Sequence, residues 1–189
     1  MDMVKPELMV AAALVLQVFA TLSIVDGLYI HLWKLRLHRR PASYGEHLWH
    51  TARAVLFAPV ALILFATASA GPLLWLGVGL ALVDQVAGVV DALSERDSRA
   101  ALGGLGRGEY ALHVALASLH AAALALALAA RPLAAWSWSA PSTMAGAPAS
   151  LTMLTVGPIV GGLAVAALHV ALAWVHRPAA PAHGAASAA

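Results

Sequence analysis

The chain alternates between long apolar stretches and short polar segments. Five of the apolar stretches are close to the roughly 20 residues that an α-helix needs to cross about 30 Å of hydrocarbon. We predict five transmembrane helices, at about Glu7–Trp33, His47–Ser69, Pro72–Leu93, Tyr110–Ala130 and Leu151–Val175. The predicted fold class is therefore an all-α integral membrane protein, with residues 1–176 in a single transmembrane helical bundle. The tail 177–189 is rich in alanine and proline and is predicted to be disordered.

The composition agrees with a lipid environment. Of the 189 residues, 61% are hydrophobic and 11% are charged, whereas a soluble domain has roughly a quarter charged residues. The formal net charge is +2 and the basic residues are scattered in short loops, so we expect no nucleic-acid partner. The lack of cysteine excludes disulfides, Cys-ligated zinc and iron–sulfur clusters. The partners indicated are the lipid bilayer, a lipophilic small-molecule substrate and membrane-protein partners.

The basic residues predict how the helices are oriented. The loop 34–45 holds four Lys and Arg residues and the loop 94–108 holds three, whereas only Lys5 and Arg131 lie on the opposite side. The positive-inside rule places both basic loops in the cytoplasm, the N-terminus outside and the C-terminus inside. We expect the protein in a bacterial inner (cytoplasmic) membrane.

A weak internal repeat links the two halves of the chain. Residues 24–28 (IVDGL) are similar to residues 89–93 (VVDAL), and both 45–54 and 108–117 read Gly-Glu-x-x-x-His-x-x-x-Ala. The offset is 65 residues for the first pair and 63 for the second. Both copies are predicted helical hairpins of the same orientation, which indicates a parallel repeat. Repeat 1 spans about 7–69, repeat 2 about 72–130, and a fifth helix about 151–175.

Ionisable residues inside the predicted spans fall on matching helix faces. Such a side chain costs roughly 2.5–3.5 kcal/mol near the bilayer centre, so each needs a partner or a function. The second and fourth helices each carry a Glu-x-x-x-His pair on one face, and the first and third each carry an Asp. The six candidate metal ligands are Asp26, Glu46, His50, Asp91, Glu109 and His113. Four further residues are neighbouring or alternative ligands, namely Asp84, Glu95, His120 and His169.

This pattern resembles the ligand set of ferritin-like di-iron carboxylate bundles. In those bundles two helices each give one carboxylate and two give a Glu-x-x-His pair, all pointing inward. The present Glu–His spacing is four rather than three, and the lone carboxylates are Asp rather than Glu. The resemblance covers six residues and implies a di-iron centre. A single transition metal (Fe, Mn or Zn) suits the same carboxylate and imidazole donors.

These ligands favour a membrane-embedded metal-dependent enzyme with its site near the cytoplasmic face. The substrate expected inside a bilayer is lipid-like or quinone-like. Iron would suit oxidation with oxygen, whereas zinc would suit attack of an activated water on an ester or amide. The candidate ligands of this chain include more carboxylates than histidines, whereas many hydrolytic zinc sites use three histidines. This difference favours an oxidoreductase.

Two other functions fit the sequence. A haem b-binding electron-transfer subunit needs two histidines at matching depth, such as His50 with His113, or His113 with His169. A non-catalytic accessory subunit of a larger membrane complex, or a small transporter, would use buried Asp and His as packing pairs or as a proton relay.

Several polar residues also have purely structural interpretations. Glu46 and Glu109 could cap the starts of their helices. Asp91 and Glu95 could form salt bridges with the arginines Arg53, Arg96 or Arg99. Three further histidines are interpreted as isolated residues at the membrane interface, namely His38, His47 and His183. His47 is also a weak candidate for a residue that supports the Glu46–His50 pair.

Overall fold

A computed structural model describes residues 4–142 and 149–178 of the chain. Within them the protein is all-helical, without strands, and five helices are long and apolar enough to cross a membrane. This confirms the predicted helical class and the number of long apolar helices. Residues 179–189 of the predicted tail, including His183, lie outside the described residues. The five helices are α1 (Pro6–Ile24), α2 (Tyr44–Phe65), α3 (Gly71–Ala100), α4 (Arg107–Ala129) and α5 (Ala149–Val175).

Helix α1 continues without a break into a π-helix, Val25–Lys34, which we call the π segment. Two short 3-10 turns, Leu37–Arg39 and Pro41–Ser43, then lead into α2. Another, Leu133–Trp136, follows α4. The π segment carries Asp26 in its first turn.

Several helix boundaries differ from the predicted ones: α2 ends at Phe65 rather than Ser69, and α4 begins at Arg107 rather than Tyr110. Helix α3 runs to Ala100 rather than ending at Leu93, and α2 begins at Tyr44 rather than His47. The predicted helix ended where charged residues began, because such residues are typical of loops. In the structure Glu95 and Arg99 are buried and paired, so the helix continues through them.

The helices pair in a regular pattern. Helix α1 packs along α4 and α2 packs along α3, whereas α1 with α2 and α3 with α4 make few contacts. Exchanging α1 with α3 and α2 with α4 leaves this pattern unchanged, which is the arrangement a parallel repeat would produce. The duplication itself stays a prediction. Helix α5 packs mainly on α2 and also on α1.

The apolar core fills one end of the bundle, where α1 and α3 begin and α2 and α4 end. Its fully buried side chains include Leu16, Phe65, Leu74 and Ala123. Buried acids, histidines and an arginine occupy the opposite end. The bundle is therefore divided into an apolar end and a polar end.

Arg131 closes the apolar end of the bundle. Its side chain is buried and donates hydrogen bonds to the carbonyl oxygens of Leu64, at 2.7 Å, and Thr67, at 3.0 Å. Carbonyls at a helix C-terminus have no partner within the helix, so this arginine satisfies the end of α2. Burial lowers the pKa of Arg131 to about 10, which leaves the guanidinium protonated at neutral pH.

Gly71 is expected to be essential to the turn between α2 and α3. Its φ is +57°, and a Cβ at this position would collide with the backbone carbonyl of Ala140. We expect Gly71→Ala to lower the free energy of unfolding by about 1–3 kcal/mol, because both strain and collision oppose it. Thermal unfolding in detergent, followed by circular dichroism, measures the change.

The matched control for Gly71→Ala is Gly79→Ala. Gly79 lies on an exposed face inside α3, and a Cβ there would meet no atom of the described structure within 4 Å. This control should leave stability unchanged or raise it by up to about 1 kcal/mol. Equal unfolding temperatures for the two variants would contradict the role given to Gly71.

Candidate metal centre

The predicted ligands come together at the polar end of the bundle. The π segment, the starts of α2 and α4, and the C-terminal half of α3 meet there. Nine of the ten residues have an ionisable partner within 4.0 Å, namely Asp26, Glu46, His50, Asp84, Asp91, Glu95, Glu109, His113 and His120. His169 lies apart, with its ring stacked on that of His47 at 5.2 Å.

The first half of the cluster joins the π segment to α4. His113 Nε2 lies 3.1 Å from Asp26 Oδ1. His31 Nε2 lies 3.5 Å from both Asp26 Oδ1 and Glu109 Oε1. One ligand atom each from His31, Glu109 and His113 lie within 4.8 Å of one another, which is close enough to hold one metal ion.

The second half of the cluster joins α2 to α3. His50 Nδ1 lies 3.5 Å from Asp91 Oδ2, and His50 Nε2 lies 3.9 Å from Glu46 Oε1. Glu46, His50 and Glu95 form another group whose ligand atoms lie within 4.8 Å of one another. This group shares no residue with that of His31, Glu109 and His113.

Two contacts connect the two halves of the cluster. His113 Nδ1 lies 2.9 Å from Glu95 Oε2, and the rings of His50 and His31 are 4.2 Å apart. A third group of close ligand atoms, Asp26, His31 and His50, also crosses between the halves. The contacts correspond pair by pair when Asp26 is matched with Asp91, His31 with Glu95, Glu46 with Glu109, and His50 with His113.

His31 is the central residue that the sequence analysis missed. It is five positions after Asp26, and on an α-helix that spacing would turn the two side chains away from each other. The π segment has an i→i+5 hydrogen-bond pattern, which brings both to one face. On α3, the matching residues Asp91 and Glu95 are only four apart. The available signal was that His31, like the chosen ligands, is ionisable and lies inside a predicted span.

Arg99 was predicted to lie in the loop 94–108, and this is wrong, because it lies in α3 and is buried. Its side chain is 1% exposed and lies between Glu46 and Glu109. Nη1 donates to Glu46 Oε2 at 2.7 Å, and Nη2 donates to Glu109 Oε1 at 2.6 Å. Ser98 Oγ also donates to Glu46 Oε2. Glu46 Oε1 has no hydrogen-bond partner in the described part of the chain, so this oxygen is available to a ligand.

The structure tests whether the acids serve only as helix caps or as salt-bridge partners. The start of α2 shows no side-chain capping bond at Ser43, so a capping box does not explain Glu46. Glu109 lies in the first turn of α4, where a negative charge favours the positive end of the helix. A salt bridge does form at Asp91, whose Oδ2 lies 3.5 Å from Arg53 Nη1. Glu95 pairs with His113 rather than with an arginine.

A second polar pair lies deeper, towards the apolar core. Asp84 Oδ2 is 3.2 Å from His120 Nδ1, and Asp84 Oδ1 is 3.6 Å from Arg53 Nε. Gln85 also reaches His120 Nδ1, at 3.0 Å, and the His120 ring stacks on Phe19 at 4.5 Å. Arg53 thus connects this pair with Asp91 of the main cluster.

A cavity of about 210 Å³ connects the main cluster with this deeper pair. Asp26 and His50 line one part of it, Asp84 and His120 another, and apolar side chains such as Phe57 line the rest. The cavity lies between α1 and α5, where the lining residues Thr21, Ile24 and Gly157 are exposed. The cavity therefore opens to the outside of the bundle between these two helices.

The glycines of α5 give this cavity its wall. Gly157, Pro158, Gly161 and Gly162 all line it. A Cβ at Gly162 would collide with the ring of Phe57, so this glycine makes room for an aromatic side chain of α2.

Comparisons with protein-family models, with curated proteins and with solved structures found no match to this chain.

Proposed function

We propose that this chain is a membrane-embedded, metal-dependent oxidoreductase whose centre holds two transition-metal ions, iron being the first choice. The observation that carries the proposal is the pair of separate ligand groups. One is His31 with Glu109 and His113, and the other is Glu46 with His50 and Glu95. Carboxylate and imidazole donors together suit iron or manganese, and also zinc.

The charge of the cluster supports two divalent ions. The main cluster and the deeper pair together hold two arginines and six acids. Arg53 contacts Asp84 and Asp91, and Arg99 contacts Glu46 and Glu109. The other two acids, Asp26 and Glu95, contact His113. With neutral imidazoles, the formal charge is four negative units, which two divalent cations would balance. Buried charges that lack compensation are strongly unfavourable, so a charge of this size calls for cations.

Arg99 and Ser98 would act as positioning residues for the metal centre. They hold Glu46 by one oxygen and leave the other free. Partners of this kind orient a ligand and tune its basicity without touching the metal. In the same way, Asp26 and Asp91 would orient His113 and His50 when they are not ligands themselves.

The cavity supports a lipophilic substrate, lipid-like or quinone-like. Its apolar wall would hold a hydrocarbon part, while Asp26 and His50 at one part of the cavity would face a polar head. Iron bound in the two ligand groups would supply redox chemistry with dioxygen. For a quinol the reaction balances without a further reductant: two quinols give up four electrons and four protons, and one dioxygen becomes two waters.

The orientation belongs to the same proposal. We place the polar end of the bundle at the cytoplasmic face of a bacterial inner membrane, with the N-terminus outside and the C-terminus inside. Exposed basic residues at the polar end support this under the positive-inside rule, among them Lys34, Arg36, Arg39, Arg40, Arg96 and Arg107.

Elemental analysis of the detergent-purified protein, never exposed to chelator, tests the proposal together with an absorption spectrum. We expect about two equivalents of iron or manganese and no Soret band. Glu46→Gln and Glu109→Gln should each lose bound metal because each removes a charged ligand from one group. Glu7→Gln, at an exposed acid in the first turn of α1, is the matched control and should keep full metal content.

The same samples distinguish the alternatives. A Soret band would replace the proposal with a haem b electron-transfer subunit. The geometry favours metal ions over a porphyrin at His50 and His113, because the ring of His31 lies 4.2 and 5.7 Å from theirs. Neither metal nor haem would overturn the proposal in favour of an accessory subunit or a small transporter.

A further inference from the structure

Four more histidines form a row beside the carboxylate cluster. In spatial order they are His176, His38, His47 and His169, and we call them the histidine row. Neighbouring ring centroids are 4.9 Å apart for His176 and His38, 6.0 Å for His38 and His47, and 5.2 Å for His47 and His169. The interpretation of His38 and His47 as isolated interface residues is therefore wrong.

Three members of the row have buried nitrogen atoms that lack a partner. His38 is 6% exposed, and His47 and His169 are each 2% exposed. Within residues 4–142 and 149–178, His38 Nδ1, His47 Nε2 and His169 Nδ1 have no hydrogen-bond partner. An unsatisfied buried polar atom costs about 1–3 kcal/mol, and native structures contain few of them. Three on consecutive rings point to a ligand that the row is built to hold.

The spacing of the rings suits coordination of one metal ion. A metal–nitrogen bond of about 2.0–2.1 Å places the centroids of two imidazole ligands about 4.5–6.4 Å apart, for bond angles between 90° and 180°. The three neighbouring separations in the row fall inside this range. As the described side chains stand, no three nitrogens of the row lie within 4.8 Å of one another, so one ion would draw three of them together only by rotation of the rings about their side-chain torsions.

We propose that the histidine row is a second metal site, which takes one nitrogen-preferring divalent ion, Cu²⁺ or Zn²⁺. Its donors are imidazoles, whereas the carboxylate cluster supplies the oxygen ligands that iron and manganese accept. The site joins three parts of the fold: the 3-10 turn with His38, the start of α2 with His47, and the C-terminal part of α5 with His169, which His176 follows just after the helix ends. It does not rest on the function proposed for the carboxylate cluster.

Titration of the chelator-stripped, detergent-purified chain with Cu²⁺, followed by electron paramagnetic resonance, tests this proposal. We expect one Cu²⁺ signal that shows coupling to at least three imidazole nitrogens, distinct from any Cu²⁺ held by the mixed carboxylate and imidazole groups of the main cluster. His38→Gln, His47→Gln and His169→Gln should each weaken Cu²⁺ binding by at least about 100-fold. Loss of a direct ligand should exceed the 10–100-fold typical of residues that only support a ligand.

Two further variants separate this site from the carboxylate centre. The Cu²⁺ signal of the histidine row should persist in Glu109→Gln, which impairs the carboxylate centre alone. It should also persist in His120→Gln, which alters a buried histidine that contacts Asp84 and Gln85. His38 lies on a short turn, so His38→Gln remains informative where a helical variant fails to fold.

Either of two results would overturn the proposal. One is a wild-type spectrum with coupling to fewer than three imidazole nitrogens. The other is unchanged Cu²⁺ affinity in folded His38→Gln and His47→Gln, each shown to be folded by size-exclusion chromatography. Metal in the carboxylate centre together with either result would leave the proposed oxidoreductase standing and remove only the second site.

Discussion

Replacement of Arg99 by glutamine should destabilise the metal-free protein by about 3–5 kcal/mol, the usual cost of removing one partner from a buried ion pair. The reason is that Glu46 and Glu109 would then lie buried without the cation between them. Denaturant unfolding of the chelator-treated protein in detergent measures the loss. Arg96→Gln, at an exposed arginine three positions earlier on α3, is the matched control and should change stability little.

The same variant also tests the link between Arg99 and metal binding. Added Mn²⁺ should stabilise Arg99→Gln more than the wild type, because the divalent ion would replace the missing positive charge. A triple variant with Glu46→Gln and Glu109→Gln should recover most of the lost stability without metal, since no buried charge is then uncompensated. Wild-type stability in metal-free Arg99→Gln would show that these two acids are not held as a charged pair.

Replacement of His31 by glutamine should remove at least one of the two expected metal equivalents. His31 contributes to two of the three groups of close ligand atoms, one with Glu109 and His113, the other with Asp26 and His50. Glutamine is similar in size but lacks the imidazole nitrogen that binds transition metals. Elemental analysis of the purified variant, beside its thermal unfolding curve, measures the effect.

The control for His31→Gln is His120→Gln. Both histidines are buried, but His120 belongs to the deeper pair with Asp84. We expect His120→Gln to keep two metal equivalents. Equal metal content in both variants, both folded, would mean that His31 only fills space between His50 and His113.

The helices and most of the cluster follow from local sequence. Uninterrupted apolar runs specify five helices because each run is long enough to bury itself in an apolar surrounding. The Glu-x-x-x-His pairs specify a shared face because the α-helical period carries position i onto i+4. The structure accordingly places Glu46, His50, Glu109 and His113 at one end of the bundle.

Other parts of the site depend on features that local sequence does not encode. The contact between Asp26 and His31 requires a π-helix, because an α-helix over these residues would turn the side chain of His31 away from that of Asp26. Arg99 resembles a loop residue because its two partners lie 53 and 10 positions away in the chain. His38 and His169 are far apart in sequence, so only the tertiary structure reveals that they belong to one row.

The pairing of α1 with α4 has a consequence for biosynthesis. Asp26 and His113 are 87 positions apart, and at about 5–20 residues per second a ribosome adds the second roughly 4–17 s after the first. During this interval the acid and histidine of the π segment lack their partners on α4. Translation that stops before α4 would leave these polar groups without partners, so we expect incomplete chains to be degraded before the proposed metal centre can form.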